Sequence, residues 1–285
     1  LPSRPTPLAT LLRTVEGPGY QLEHLRLDLN GIEPVPALLL IPDKRRDPAP
    51  GLLYLHAHGD RYDLGKEELV EGRDVLQPYT PVCAERGLVT LAVDNWCFSG
   101  RRHHDDGRQG EHDAFKLMLW RGRVLWGMML FDQVQALEYL ASRPEVDPGR
   151  IGAFGLSMGS TMAWWLAALD TRLRLCADLC CLTGFEELIR AGNLAGHGVY
   201  YYVPRLLAHF QTYQIRELIV PRPQLSLNGR RDPLTPPAGV LRVRDRLGPL
   251  YAKYGRPEDC SIELLDCTLP LACRSPPTPP PSRRG

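Results

Sequence analysis

Short apolar runs alternate along the chain with stretches of helical periodicity. Near the start, two extended patterns, YQLEHLRLDLN and GIEPVPALLLIP, flank an Asn30-Gly31 turn signal, and this arrangement predicts a β-hairpin. Buried strands are predicted next at GLLYLHAHG and LVTLAVDN, with a helical segment between them that ends at Gly87. The first third of the chain is therefore expected to be rich in strands.

The longest helical pattern runs from Glu111 to Ser142, and Pro144 marks its end. RIGAFGLSMG then predicts a strand, a tight turn and the start of another helix. A last helix is expected from about Pro237 to Tyr254, and further strands are predicted at LRLCADLCCL, PQLSLNG and SIELLD. Strands that alternate with helices in this order imply an α/β fold, with a mostly parallel central sheet covered by helices on both faces.

One large domain is predicted over residues 1–266. Within it, residues 183–220 mix helical patches with aromatic and glycine residues, and we interpret them as a small cap insertion over a pocket. The tail, residues 267–285, has prolines at positions 270, 276, 277, 279, 280 and 281. Because this proline density prevents helix formation, the tail is predicted to be irregular.

Charge and hydropathy narrow the class of partner. The 285 residues carry 34 basic and 33 acidic side chains, a net charge of +1, which is unlike the basic surface of a nucleic-acid-binding protein. No apolar run approaches the ~20 residues that cross a bilayer. Neither nucleic acid nor a membrane is therefore expected as a partner, whereas a small, nearly neutral ligand fits, and homo-oligomerisation is left open.

The eight cysteines form neither a disulfide framework nor the paired CxxC modules of a structural zinc site. They are interpreted as reduced core residues, which favours a cytoplasmic location. The run His103-His104-Asp105-Asp106 has metal-binding residue types, but adjacent ligands in a charged loop are more often a solvated surface. No metal and no cofactor are expected.

The strongest chemical signal is Gly155-Leu156-Ser157-Met158-Gly159, which matches GxSxG and lies between a predicted strand and a predicted helix. A serine nucleophile at such a place needs a sharp, strained turn, so the residues two before and two after it must be small. The helix that begins there directs its positive end at the site. Ser157 is therefore predicted to be a nucleophile.

Three segments, YLHAHG, VDPGRIGAFGLSMGS and PRPQLSLNGRRDPLTPP, occur in an order that resembles one protein family. The chain is similar to the bacterial α/β-hydrolases grouped with dienelactone hydrolases, acetyl xylan esterases and related carboxylesterases. The resemblance extends to about Asp266. Dienelactone hydrolases proper use cysteine as the nucleophile, so the serine at position 157 favours the esterase side of this group.

The resemblance implies roles for further residues. Asp232, after the strand PQLSLNG, would be the acid that orients a histidine, although an Asp-Pro turn former is an equally common reading. The backbone N–H groups of Asp60 and Met158 would form the oxyanion hole, with Arg61 as the next candidate if the loop is offset by one. A substrate pocket is predicted to include these side chains: His58, Arg61, Tyr200 and Tyr201.

A family member should also have a histidine shortly after the last strand. The corresponding stretch, Leu265 to Leu269, contains none, and the last histidine of the sequence is His209. Three explanations stay open: an inactive relative, a substitute histidine, or a C-terminus from a shifted reading frame, which the Pro- and Arg-rich composition favours. The candidate substitutes are His56, His58, His197 and His209.

The expected function is hydrolysis of small carboxylic esters through an acyl-enzyme on Ser157. A binding protein of the same fold that lacks activity, and a peptidase of the same fold, are the alternatives. Residue types alone discriminate poorly between these three.

Overall fold

A computed structural model of the chain describes residues 6–73 and 76–268. Within these residues, one nine-stranded sheet has the order β1-β2-β3-β5-β4-β6-β7-β8-β9. The strands are β1 (Ala9–Gly17), β2 (Tyr20–Leu27), β3 (Val35–Pro42), β4 (Ala49–Leu55), β5 (Val89–Val93), β6 (Val146–Leu156), β7 (Leu173–Leu179), β8 (Gln224–Gly229) and β9 (Cys260–Leu265).

Eight α-helices lie between or beside these strands in the described ranges. They are α1 (Glu68–Glu71), α2 (Thr80–Glu85), α3 (Gly107–Trp120), α4 (Leu125–Ser142), α5 (Met158–Leu169), α6 (Phe185–Arg190), α7 (Thr212–Glu217) and α8 (Pro237–Lys253). Six neighbouring strands pair in parallel, in the sheet order β5, β4, β6, β7, β8 and β9. The remaining pairs, β1 with β2, β2 with β3 and β3 with β5, are antiparallel. The predicted mostly parallel sheet is therefore confirmed.

Apolar side chains cover the sheet on both faces. Along β3, Ala37 and Leu39 join the main core cluster with α4 and α5, whereas Leu38 and Leu40 join a second cluster beneath α1 and α2. This division follows from the alternation of side chains along a strand. Because β3 is buried on both faces, it reads in the sequence as a continuous apolar run.

The N-terminal hairpin is confirmed as β2 and β3, with Leu25 opposite Ala37. In the connection between them, the Asn30 side chain accepts hydrogen bonds from the backbone N–H groups of Ile32 and Glu33. The edge strand β1 was not predicted. Its side chains are mostly exposed on both faces, so it lacks the apolar alternation that signals a half-buried strand.

The prediction of one helix from Glu111 to Ser142 is wrong, because two helices occupy this segment. Helix α3 begins at Gly107, where the Asp106 side chain accepts from the Gln109 N–H at 3.1 Å, and it ends at Trp120. Gly122 then adopts a left-handed φ of 67°, which stops the helical bonding. The apolar periodicity continues across this break and so conceals it in the sequence.

Residues 180 to 223 connect β7 to β8 through α6, α7 and three short 3₁₀ turns within the described chain. One of these turns, Val199–Tyr201, packs against α3 and α4. The predicted cap at residues 183–220 falls on this connection. Most of the predicted tail, residues 269–285, lies outside the described residues.

Candidate active site

Ser157 lies between β6, which ends at Leu156, and α5, which begins at Met158. Its backbone has φ 55° and ψ −110°, a strained combination for a residue with a side chain, and such strain collects at functional sites. Its N–H donates to the Leu179 carbonyl oxygen at 2.9 Å, and its carbonyl accepts from the Thr161 N–H at 3.0 Å. The predicted strand-turn-helix setting is thus present.

The two glycines of the motif are required by close packing. A Cβ at Gly155 would collide with the Gly159 carbonyl group, and a Cβ at Gly159 would collide with the Leu55 carbonyl oxygen of β4. Only residues without a side chain let the start of α5 approach β4 this closely. The motif spacing is therefore explained by the turn itself.

The side-chain neighbour of the Ser157 hydroxyl is Cys181, whose Sγ lies 3.6 Å from Ser157 Oγ. Cys181 follows β7 and has a left-handed φ of 58°. Burial raises the pKa of Cys181 to about 12, so at neutral pH it is a thiol and a poor proton acceptor. This residue was predicted as a core cysteine, and its place beside the nucleophile was missed.

Asp232 follows β8 and is 9% exposed. Its Oδ1 accepts from the Leu234 N–H at 2.9 Å, and its Oδ2 accepts from the Thr235 hydroxyl at 3.0 Å. The Thr235 hydroxyl oxygen in turn accepts from the Cys181 N–H at 3.2 Å. Asp232 is thereby connected through Thr235 and Cys181 to Ser157. No motif in the sequence indicated the two intermediate residues.

The chain that follows β9 runs beside the Asp232 loop. The Arg230 N–H donates to the Leu265 carbonyl at 2.8 Å, and the Arg231 N–H donates to the Cys267 carbonyl at 3.1 Å. The Arg231 guanidinium also binds the Asp266 carboxylate. The segment where the family resemblance implies a histidine therefore begins next to the acid, and Leu269 itself lies outside the described residues.

A buried ion pair between Glu68 and Arg73 holds the loop after β4. Glu68 accepts from the Ala57 N–H at 3.0 Å and pairs closely with Arg73. The Arg73 guanidinium donates to the carbonyl oxygens of Ala57 and His58, each at 3.3 Å. These contacts fix the backbone of Ala57 and His58 at the start of the loop.

The predicted oxyanion donors on this loop already have acceptors. The Asp60 N–H donates to His58 Nδ1 at 3.1 Å, and the Arg61 N–H donates to the His58 carbonyl at 3.0 Å. Asp60 has a left-handed φ of 57°, and the Arg61 guanidinium binds the exposed Asp63 carboxylate. To serve an oxyanion, the Asp60 N–H would turn from the imidazole towards the substrate.

Ring contacts join three of the four predicted pocket residues, since Tyr200 touches both His58 and Tyr201. The Tyr200 ring stacks on the His58 ring, with centroids 5.1 Å apart and planes 21° apart. Tyr201 is buried as well, and its ring stacks on that of His197. Arg61, by contrast, lies on the exposed surface of the loop.

Within the described chain, none of the four candidate substitute histidines hydrogen-bonds Ser157. His197 Nε2 donates to the Leu234 carbonyl at 3.0 Å, and burial lowers its pKa. His56 is held by Asn95 and its own loop, and His58 is held by Glu111. His209 is exposed.

Over residues 6–73 and 76–268, no cluster of three or more His, Cys, Asp or Glu side chains is arranged to hold a metal ion. His103 instead pairs with Glu33 at 2.8 Å. Across the same ranges, none of the helices has the length and apolarity needed to cross a membrane.

A mostly parallel sheet, with a serine on the tight turn between β6 and α5, is the arrangement of the α/β-hydrolases. The chain belongs to the acetyl xylan esterase (AXE1) family, whose model matches residues 21–221. It is accordingly a hydrolase of the esterase type.

The chain is also similar to individual known proteins. The chain is 45% identical to YtaP of Bacillus subtilis (strain 168), provisionally named a hydrolase, over 262 residues that cover 91% of this chain and 86% of that protein. It also resembles the crystal structure of BF1801 from Bacteroides fragilis NCTC 9343, provisionally named an acetyl xylan esterase. That match has a TM-score of 0.73 and 21% identity over 92% of this chain and 70% of that one.

A glucuronoyl esterase from Solibacter usitatus has the same fold. Its TM-score is 0.60 at 14% identity, over 90% of this chain and 76% of that one. At such low identity the likeness concerns the fold.

Proposed function

We propose that this protein hydrolyses small carboxylic esters, acetyl esters first among them, through an acyl-enzyme on Ser157. The observation that carries the proposal is the strained Ser157 backbone at the start of α5, at the carboxyl edge of the parallel strands, where α/β proteins bind ligands. Membership of the acetyl xylan esterase family supports the choice of an acetyl ester.

In the proposed reaction, Ser157 Oγ attacks the ester carbonyl carbon and its proton passes to a base. The negative oxygen of the tetrahedral intermediate would accept hydrogen bonds from the N–H groups of Met158 and of the Asp60 loop. Collapse of the intermediate releases the alcohol, which takes up the proton, and leaves the acyl group on Ser157. Water then attacks the acyl-enzyme and releases the acid.

Asp232 is proposed to orient the base. Its buried carboxylate, at the end of β8, supports this role. No histidine follows His209 within the 285 residues, so within them no base can follow the acid in the family order Ser, Asp, His. We therefore expect the turnover of the chain to fall well below that of a complete triad, because oxyanion stabilisation and binding sustain only part of the rate.

The connection between β7 and β8 is proposed to act as the cap of this site. Tyr200, from its Val199–Tyr201 turn, stacks on His58 of the loop after β4, which supports a pocket closed by the cap on one side. His58, Tyr200 and Tyr201 would then shape the space for the ester.

An inactive binding protein of the same fold is the second candidate. It is favoured by the thiol of Cys181, and not an imidazole, as the hydroxyl's side-chain neighbour at 3.6 Å. Such a protein would retain the pocket and bind esters without cleaving them.

The test is hydrolysis of p-nitrophenyl acetate and butyrate by the chain, its Ser157→Ala variant and a Ser142→Ala control. Ser142 donates to the Tyr139 carbonyl at the end of α4, so its loss removes a hydroxyl away from the Ser157 turn. We expect turnover that Ser157→Ala reduces to background and Ser142→Ala leaves unchanged. Equal rates for the parent and Ser157→Ala would contradict the serine mechanism and favour the binding protein.

A further inference from the structure

A single buried carboxylate joins three segments around the candidate site. Glu111, on α3, is 1% exposed. Its Oε2 accepts from His58 Nε2 at 2.7 Å and from the Tyr62 hydroxyl at 2.6 Å, and its Oε1 accepts from the Tyr200 N–H at 3.2 Å. The partners belong to the loop after β4 and to the connection between β7 and β8.

These bonds determine the protonation state of Glu111 and the tautomer of His58. Burial by itself raises the pKa of Glu111, but the hydrogen bonds from His58, the Tyr62 hydroxyl and the Tyr200 N–H bring that pKa below its usual value. The carboxylate is therefore ionised at neutral pH and acts only as an acceptor. Since His58 Nε2 donates to it and Nδ1 accepts from the Asp60 N–H, neutral His58 is the Nε2–H tautomer.

We propose that Glu111 is a positioning residue for the ester hydrolysis proposed above, on which this inference rests. Through His58 it holds the loop from which the Asp60 N–H, now bonded to His58 Nδ1, would turn towards the oxyanion. Through the Tyr200 N–H it fixes the turn Val199–Tyr201 over the same space. One carboxylate thereby fixes the position of the loop after β4 relative to the Val199–Tyr201 turn.

The packing around Glu111 shows how tightly this junction is built. A Cβ at Gly198, the residue before the Val199–Tyr201 turn, would lie 3.0 Å from Glu111 Oε1. The Tyr200 ring stacks on the same imidazole that Glu111 holds. A change at Glu111 therefore affects both the loop after β4, through His58, and the Val199–Tyr201 turn, through Tyr200.

Glu111→Gln keeps the shape of the side chain but replaces one acceptor oxygen with an NH₂ donor. If the NH₂ replaces Oε1, the Tyr200 N–H loses its acceptor, and if it replaces Oε2, His58 and Tyr62 lose theirs. Either way, the loop and the cap are no longer held by one side chain. Because a misplacement of about 1 Å can cost about 10²-fold in rate, we expect a loss of kcat of that order on p-nitrophenyl acetate. KM should stay within about threefold if the loss is confined to the transition state.

Asp132→Asn is the matched control, because Asp132 is also 1% exposed. It binds Asn30 and Arg101 instead of the loops beside Ser157. Both variants should unfold at lower urea concentration than the parent, but only Glu111→Gln should lose kcat. A folded Glu111→Gln protein with the parent's kcat would overturn the proposal, as would an equal loss of kcat in Asp132→Asn.

A second readout does not depend on turnover. Nitrogen-15 NMR of the imidazoles should show His58 with a protonated Nε2 and a hydrogen-bonded, unprotonated Nδ1. In Glu111→Gln this pattern should be lost, and the Asp60 amide hydrogen should exchange faster. If both observables match the parent, Glu111 does not position the loop. If the parent has no Ser157-dependent turnover, the proposed function fails, and this NMR comparison still decides the role of Glu111.

Discussion

The Ser157 backbone, with φ 55° and ψ −110°, belongs to a conformation that few residues other than glycine adopt. The surrounding chain maintains it: the Leu179 carbonyl accepts the Ser157 N–H, and Gly155 and Gly159 permit the close contact with β4. The short motif predicted this geometry because its glycines are needed for the turn. The proximity of Cys181 could not be predicted, because it depends on where β7 ends in space.

A further residue with a defined electrostatic state is His56. Burial lowers its pKa to about 4, although Glu68 and the Ala57 carbonyl favour the charged form. Its Nε2 accepts from the Asn95 N–H at 3.1 Å, and Nδ1 lies 2.9 Å from the Ala57 carbonyl. Nδ1 therefore carries the hydrogen, and the neutral ring has a partner on each side.

The lowered pKa of His56 makes the free energy of unfolding depend on pH. The unfolded protein protonates His56 near its ordinary pKa of 6.5, whereas the folded protein does so near 4. The unfolded state thus binds more protons between these values, and the His56 contribution is lost as the pH falls through this window, by up to about 1.4 kcal/mol per pH unit. Urea unfolding at a series of pH values measures this change in the free energy of unfolding.

The comparison must be made between variants, because Asp94 acts in the opposite direction. Burial raises the pKa of Asp94 to about 6 despite the opposing charge of Lys66, so its contribution is lost as the pH rises. His56→Gln should flatten the acid side of the stability profile relative to the parent, while His209→Gln, at an exposed position, should not. Parallel profiles for His56→Gln and the parent would refute the assignment.

Among the elements, those with strong local signals were predicted and those defined by a single backbone position were not. The β2–β3 hairpin is confirmed because its turn residues and apolar strands agree. The break at Gly122 was missed, because α3 and α4 both continue the same apolar periodicity. A glycine in a helical pattern is tolerated often enough that its left-handed φ is not implied by its identity.

The contact between α5 and β4 gives a prediction at this scale. A Cβ at Gly159 would collide with the Leu55 carbonyl oxygen, whereas a Cβ at Gly127, an exposed position in α4, would make only an ordinary contact with Val124 at 3.9 Å. Gly159→Ala should therefore lower the free energy of unfolding by about 1–3 kcal/mol or more. Gly127→Ala should raise it by up to about 1 kcal/mol, through helix propensity.

Urea unfolding of both variants checks this pair, and circular dichroism confirms that each one is folded. A Gly159→Ala protein as stable as the parent would mean that α5 can withdraw from β4 without cost. In that case the close approach would not be the reason for the second glycine of the motif.

At the scale of the whole molecule, the parallel strands bring distant parts of the chain to one edge. Ser157 follows β6, Cys181 follows β7, and Asp232 follows β8. Hydrogen bonds then place the chain after β9 beside the Asp232 loop. This order in space supports a fourth contribution from the segment that begins at Asp266.

The corresponding prediction is a gain of activity. The family resemblance implies a histidine at position 269 or a neighbouring one, and position 269 is leucine in this chain. Leu269→His should raise Ser157-dependent hydrolysis of p-nitrophenyl acetate by about 10²-fold or more, because a general base commonly contributes 10²–10⁴-fold. Initial rates at saturating ester measure the effect.

Two variants complete this experiment. Leu269→Gln introduces a polar side chain of similar size without an imidazole and should leave the rate at the parent's level. Leu269→His combined with Ser157→Ala should have background activity. If Leu269→His is no faster than Leu269→Gln, position 269 is not where a base can serve Ser157.

Local sequence patterns were enough to predict the fold class, the order of most strands and helices, and Ser157 as the residue on the sharp turn. These features follow from local periodicity, turn residues and short-range sterics, which are written into neighbouring positions. Three contacts emerge only in the folded chain: Cys181 lies at the Ser157 hydroxyl, Thr235 joins Cys181 to Asp232, and Glu111 joins His58 to Tyr200. These contacts link residues that are distant in the chain, so they exist only once the sheet has set its strand order.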